Sequence, residues 1–223
     1  MAGATHVRQH NSMLAAAEKR ALIWIAQRLP RWINSDHLSA LGLAAMAGAG
    51  ASFVVAQSDP IAGGLLVVLC LLLNWFGDSL DGTVARVRDQ QRPRYGYYVD
   101  HVIDLAGTAL LFAGLAASGY MSPAIATLVV AAFFLVSAET YLATHARGVF
   151  KMAFIGVGPT ELRILLAAGA LALINSPTID LFGIGPFRLW DIGGLIGAIG
   201  MTMTFVISSA QNVRALYVEE TRR

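Results

Sequence analysis

Apolar runs of roughly 20 residues recur along the chain between short polar connections, and they limit its fold before anything else does. A hydrocarbon core of about 30 Å takes roughly 20 apolar residues per helical crossing. Inside it there is no water for backbone polar groups, so such runs cross as helices. The candidate spans are Leu38 to Gln57, Ile61 to Asp81, Tyr97 to Ser118, Pro123 to Thr144, Thr160 to Ile174 and Asp191 to Val213. The expected fold class is therefore all-α integral membrane, with six transmembrane helices. Of 223 residues 56% are hydrophobic and 13% charged, too little polar surface for a soluble domain of that size. One membrane domain is expected over 1–223: an N-terminal segment 1–33, a six-helix bundle 34–213 and a tail 214–223. No cleavable leader is expected, because the chain is polar up to Met13. Cys70 is the single cysteine and lies in an apolar run, which excludes disulfide and cysteine-ligated metal chemistry.

Orientation follows from where the basic residues fall. Arg8, Lys19, Arg20, Arg28 and Arg31 precede the first span, and Arg86, Arg88, Arg92 and Arg94 lie between the second and third. Arg147, Lys151 and Arg163 flank the connection after the fourth, Arg214, Arg222 and Arg223 end the chain, and Arg188 falls in an opposite-side loop. Both termini and the two basic loops are thus expected in the cytoplasm. Residues Ser12 to Ile33 alternate apolar with charged positions, a pattern for an amphipathic helix lying in the membrane interface, ended or bent at Pro30. Asn175 to Trp190, with Pro177, Gly183, Gly185 and Pro186, is expected to form an outer loop.

Chemistry concentrates in one stretch. Asp78 and Asp81 are three residues apart, Asp100 and Asp104 four, so each pair shares a helix face at the cytoplasmic end of neighbouring spans. An acid deep in a membrane helix costs about 2.5 to 3.5 kcal/mol on insertion scales. Two like charges about 4 Å apart repel by roughly 4 kcal/mol at an effective dielectric of 20. Either some of the four are protonated or cations sit among them. An all-oxygen set suits Mg²⁺ or Mn²⁺ rather than zinc, and two such ions are common apparatus for displacement at phosphorus. Gly82 and Ala85 leave a small surface beside Asp81, Arg86 offers a planar donor for phosphate oxygens, and Gly96 is bare at the same depth. Singly, each has a plainer explanation in helix packing or topology. A cation transporter is the rival of another class, but it calls for acids near the bilayer midplane and an internal repeat. Intramembrane prenyltransferases also use Asp-rich motifs, without the Gly82, Ala85, Arg86 and Gly96 set.

The string Asp78-x-x-Asp81-Gly82-x-x-Ala85-Arg86, followed by Gly96-x-x-x-Asp100-x-x-x-Asp104, resembles the signature of the CDP-alcohol phosphotransferases, with every fixed position filled. The resemblance implies that Asp78, Asp81 and Asp100 hold two divalent cations against a donor diphosphate, with Asp104 as ligand, general base or both. It also implies that Gly82, Ala85, Arg86 and Gly96 lie against the CDP moiety, that CMP leaves, and that the chain forms a homodimer.

Two reaction types share that signature. One joins CDP-diacylglycerol to a small polar alcohol; the other joins CDP-choline or CDP-ethanolamine to a diacylglycerol-like lipid. The short chain favours the first, to which compact bacterial members of that family commonly belong, so the resemblance implies a bacterial inner membrane with the site expected to face the cytoplasm. His101 beside Asp100, and the segment Glu139-Thr140-Tyr141 to Arg147-Gly148 with Gly158-Pro159-Thr160-Glu161, resemble features of the second. Arg147, Lys151 and Arg163 are candidates for an acceptor phosphate, against a plain reading as topology charges. Glu139 and Glu161 are expected either to touch substrate or to brace Arg163 or His145. Asn34, Asp36 and Ser39 are expected to cap a helix or to touch the nucleotide.

Overall fold

Helix starts are written into the sequence as proline at the first helical position, where a missing N–H leaves nothing unsatisfied. In the computed structural model, which describes residues 13–148, 159–175, 177–180 and 185–221, four helices begin this way. The elements are α1 (Met13–Arg28), α2 (Ser35–Val55), α3 (Pro60–Val87), α4 (Pro93–Ala117), α5 (Pro123–Arg147), α6 (Pro159–Ala172), β1 (Thr178–Asp180), β2 (Pro186–Arg188) and α7 (Leu189–Thr221). Asp59 caps α3 by accepting from the N–H groups of Ile61 and Ala62, and Ser122 caps α5 through Ile125. Gly148 ends α5 at φ 66°, the left-handed cap that glycine adopts without strain.

Among the described residues five helices, α2, α3, α4, α5 and α7, are long and apolar enough to cross a membrane. The sixth expected span is shorter: α6 has 14 residues, about 21 Å at 1.5 Å per residue. The protein is therefore an integral membrane protein, and its described residues form five long spans and two shorter helices, α1 and α6. Its outward faces are apolar, with Leu65, Leu69 and Leu72 on α3 and Ile196, Met203 and Ile207 on α7 all exposed. A bilayer is the solvent for such a surface. Where an irregular loop was expected after α6, β1 and β2 form a short antiparallel pair, Thr178 facing Arg188. It is too short for its alternation to show in sequence.

The core forms where α2 packs on α3 and α4 around Ala49, Phe53, Val67, Leu71, Leu111 and Leu115. Close approach is set by small residues. A Cβ on Gly77 would stand 2.5 Å from the Leu38 carbonyl oxygen, and one on Gly114 would stand 2.2 Å from that of Gly50. Both glycines join α2 to a neighbour. On the other side α5 pairs with α7, while α6 lies on α3. Helix α1 ends before Pro30 as expected and packs Leu22 and Ala26 against Leu38, Leu80 and Val84. Arg88 fixes it there, donating to the carbonyl oxygens of Ile33 (2.5 Å), Leu29 (2.9 Å) and Pro30 (3.2 Å).

Candidate functional site

Helices α3 and α4, joined by Arg88–Arg92, pack on α2 rather than directly on one another as expected, and both run past the acids toward the connection. Val87 ends α3 beyond Asp81, and Pro93 starts α4 well before Asp100. The expected boundaries at Asp81 and Tyr97 were set by loss of apolar character, but hydrogen bonding continues the helices into the polar segment. Gly96 accordingly lies in the opening turns of α4, exposed, with nothing beyond its own stretch of helix within 4 Å of a Cβ placed on it.

All four acids line one cleft at this end. Its walls are Ser39 and Gly42 of α2, Asn74, Asp78 and Asp81 of α3, and Asp100, Ile103 and Asp104 of α4. Ser39 donates to Oδ2 of Asp81 at 2.7 Å, and the Gly82 N–H is 2.5 Å from Oδ1 of the same carboxylate. Ser35 binds the Asp81 carbonyl oxygen at 2.9 Å, so the start of α2 is pinned to α3 on both sides of that side chain. Asp78 pairs with Arg163 of α6, Nη2 to Oδ2 at 2.6 Å. Arg163 Nε also donates to Oδ1 of Asn74 at 2.8 Å, and Asn74 Nδ2 donates to the Gly42 carbonyl oxygen at 3.0 Å. Asn74 thus ties α2, α3 and α6 together one helical turn above Asp78.

Four carboxylates and one paired guanidinium leave the cleft with excess negative charge. Hard oxygen donors with that surplus fit a divalent cation of the magnesium type. Among the described residues no three acidic, histidine or cysteine side chains are drawn into a closed ligand set. Asp78 is turned to Arg163, and Asp81 to Ser39 and its own helix.

The remaining expected residues fall in different places. Asn34 caps α2 by accepting from the His37 N–H at 3.0 Å, and Asp36 pairs with Arg92 across the α2 and α4 starts. Gly82 meets only the Arg86 guanidinium, 3.4 Å from a notional Cβ, so helix packing does not explain its lack of a side chain. Ala85 is half-buried and Arg86 exposed, with Nη2 3.1 Å from Thr83 Oγ1. Arg147 and Arg163 are held by separate networks. Arg147 donates to Oδ1 of Asn212, whose Nδ2 donates to Glu139 at 2.5 Å, linking α5 to α7. The brace expected between Glu139 and Arg163 or His145 is replaced by this Asn212 bridge. Lys151 lies outside the described residues.

His101 is buried with its ring 4.1 Å from that of Tyr97 and edge-on to Tyr141 at 4.8 Å, while Nδ1 sits 2.7 Å from the Tyr97 carbonyl oxygen. It is packed between α4 and α5 rather than lining the cleft, although Nδ1 is 3.7 Å from Asp100 Oδ2. Asn74 and Asn212 were not singled out in sequence. Asn74 carried one signal, a lone amide in an apolar run four residues before Asp78.

The family profile described as CDP-alcohol phosphatidyltransferase matches residues 36–207, which contain the cleft and all five long spans in whole or part. The chain belongs to the CDP-alcohol phosphatidyltransferase family. It is a phospholipid-synthesis enzyme that transfers a substituted phosphate group from a CDP-alcohol, and members of its family generally depend on divalent cations. The transporter alternative falls with that match. No curated protein matches the chain at a significant level. Among solved structures the fold is similar to Mycobacterium tuberculosis phosphatidylinositol phosphate synthase (PgsA1), crystallised with CDP-DAG bound. The TM-score is 0.55 at 21% identity, covering 89% of this chain and 92% of that one.

Proposed function

We propose that this enzyme transfers a phosphatidyl group from CDP-diacylglycerol to a small polar alcohol, releasing CMP. The observation that carries the proposal is the single cleft in which Asp78, Asp81, Asp100 and Asp104 meet at the end of two membrane helices. A donor with its diphosphate at that depth has room for acyl chains along the apolar helix faces above. The bound donor in the structurally similar synthase supports this choice. His101, the residue that resembled the choline-type enzymes, is packed away from the cleft and lends that alternative no support.

Asp78, Asp81 and Asp100, with Asp104, would hold two Mg²⁺ or Mn²⁺ ions, and these supply charge neutralisation at the diphosphate. The acceptor oxygen bonds to the phosphorus that carries the diacylglycerol. The bond from that phosphorus to the bridging diphosphate oxygen breaks, CMP takes that oxygen, and the acceptor proton passes to Asp104. Ser39 holds Asp81 in orientation. Gly82 and Ala85 admit the nucleotide against α3, with Arg86 and Gly96 at its rim. Arg163 stands at the cleft for an acceptor phosphate, whereas Arg147 is committed to Asn212.

The cleft faces the cytoplasm, since Arg86, Arg88, Arg92 and Arg94 lie at its end of the bundle and Arg188 at the other. The bundle works as one domain in a bacterial inner membrane. Two copies pair, and Gly193, Gly197 and Gly200, open on α7, leave a face for close helix contact. The direct test is purified protein in mixed micelles with Mg²⁺, offered CDP-diacylglycerol or CDP-choline and a panel of acceptors. CMP released from CDP-diacylglycerol with a polar alcohol is expected. Release from CDP-choline with diacylglycerol alone would reverse the assignment.

A further inference from the structure

The pairing at Asp78 has a geometry that a simple structural ion pair does not need. The Arg163 guanidinium is held at two points, Nε on Asn74 and Nη2 on Asp78. Asn74 is buried and anchored to the Gly42 carbonyl oxygen, so it is a fixed post. Asp78 is more open, with 31% of its side chain exposed against 16% for Arg163. One contact of the arginine is therefore on a buried, anchored amide and the other on a more open carboxylate that lines the cleft. A guanidinium and a hard cation on one carboxylate repel each other at contact distance, so the two compete for Asp78.

We propose that Arg163, tethered through Asn74, is an exchangeable internal counter-ion that occupies Asp78 before the cation arrives and yields it when the cation binds. The inference rests on the cation site proposed above. Without the cation, Arg163 neutralises one of four clustered carboxylates and keeps the cleft from repelling itself apart. With the cation, Nη2 is released while Nε stays on Asn74, and the guanidinium pivots with a free edge for an anionic substrate group. Cation and substrate binding are thereby coupled through one side chain. Arg163 acts here as a positioning and competing group, and no bond is made or broken.

The test is Mn²⁺ binding to the full-length protein in detergent, read from the paramagnetic resonance signal of free Mn²⁺, with thermal unfolding in chelator and in Mn²⁺ as a second readout. Asp78→Asn is expected to weaken binding at least about tenfold, and equal binding by wild type and Asp78→Asn would remove the cation site itself. Arg163→Met is expected to bind Mn²⁺ about tenfold more tightly than wild type, to unfold at lower temperature in chelator, and to gain more from Mn²⁺ by mass action. Should Arg163→Met not yield folded protein, Arg163→Gln carries the same expectation. Loss of binding in Asp78→Asn together with unchanged or weaker binding in the Arg163 variants would overturn the exchange and leave the cation site standing.

Discussion

Ser39 Oγ lies 2.7 Å from Oδ2 of Asp81, a hydrogen bond that joins the first turn of α2 to the acidic face of α3. The hydroxyl is the donor and the carboxylate the acceptor, so with the Gly82 N–H on Oδ1 both oxygens of Asp81 are held in orientation. Hydrogen bonds to charged groups contribute about 1.5 to 3 kcal/mol. Ser39→Ala is expected to lower kcat about tenfold with a modest loss of thermal stability, and Ser39→Thr to recover most of it. Steady-state CMP release and an unfolding curve for each variant check this.

Gly82, proposed to face the nucleotide, and Gly77, a packing glycine, differ in what a side chain would meet. A Cβ at 82 meets only the flexible end of Arg86, whereas at 77 it meets backbone at 2.5 Å. Gly82→Ala should unfold within about 1 °C of wild type while raising the KM for the CDP donor severalfold. Gly77→Ala should lower the unfolding temperature by several degrees, as expected for overpacking that costs about 1–3 kcal/mol. Parallel kinetics and thermal unfolding distinguish the two.

Asn212 bridges Glu139 and Arg147 between α5 and α7. Polar contacts between membrane helices contribute about 0.6 kcal/mol on average and up to roughly 1.7. Asn212→Leu leaves both charged groups without their shared partner, so it is expected at the upper end of that range. A fall of several degrees in unfolding temperature is predicted, with the KM for donor within about twofold of wild type.

The spans were legible because apolar runs of the right length leave one structural option. The acids were legible because spacings of three and four put them on helix faces, and the packing of both α3 and α4 on α2 then brings the faces to one cleft. Asn74 and Asn212 were far less so. A single amide in a helix gains meaning only from what it meets across the bundle, and nothing in spacing foretells that Arg163, 89 residues on, reaches Asn74. Ser39 looked like a cap because serine near a helix start usually is one. His101 misled for the opposite reason: adjacency to Asp100 in sequence places it about 100° around the helix, toward α5 rather than toward the cleft. The short α6 and the β1–β2 hairpin lie where apolar length and alternation are both too brief to decide between elements.

The central claim is that the four carboxylates form a divalent-cation site on which the transfer depends. CMP release from CDP-diacylglycerol, followed with excess polar acceptor in chelator and then with Mg²⁺ restored, tests it in wild type and in Asp100→Asn. The account predicts no release in chelator, full recovery with Mg²⁺ in wild type, and a rate at least about a hundredfold lower in Asp100→Asn at every Mg²⁺ concentration. Undiminished release in chelator, or an Asp100→Asn protein that matches wild type, would contradict it.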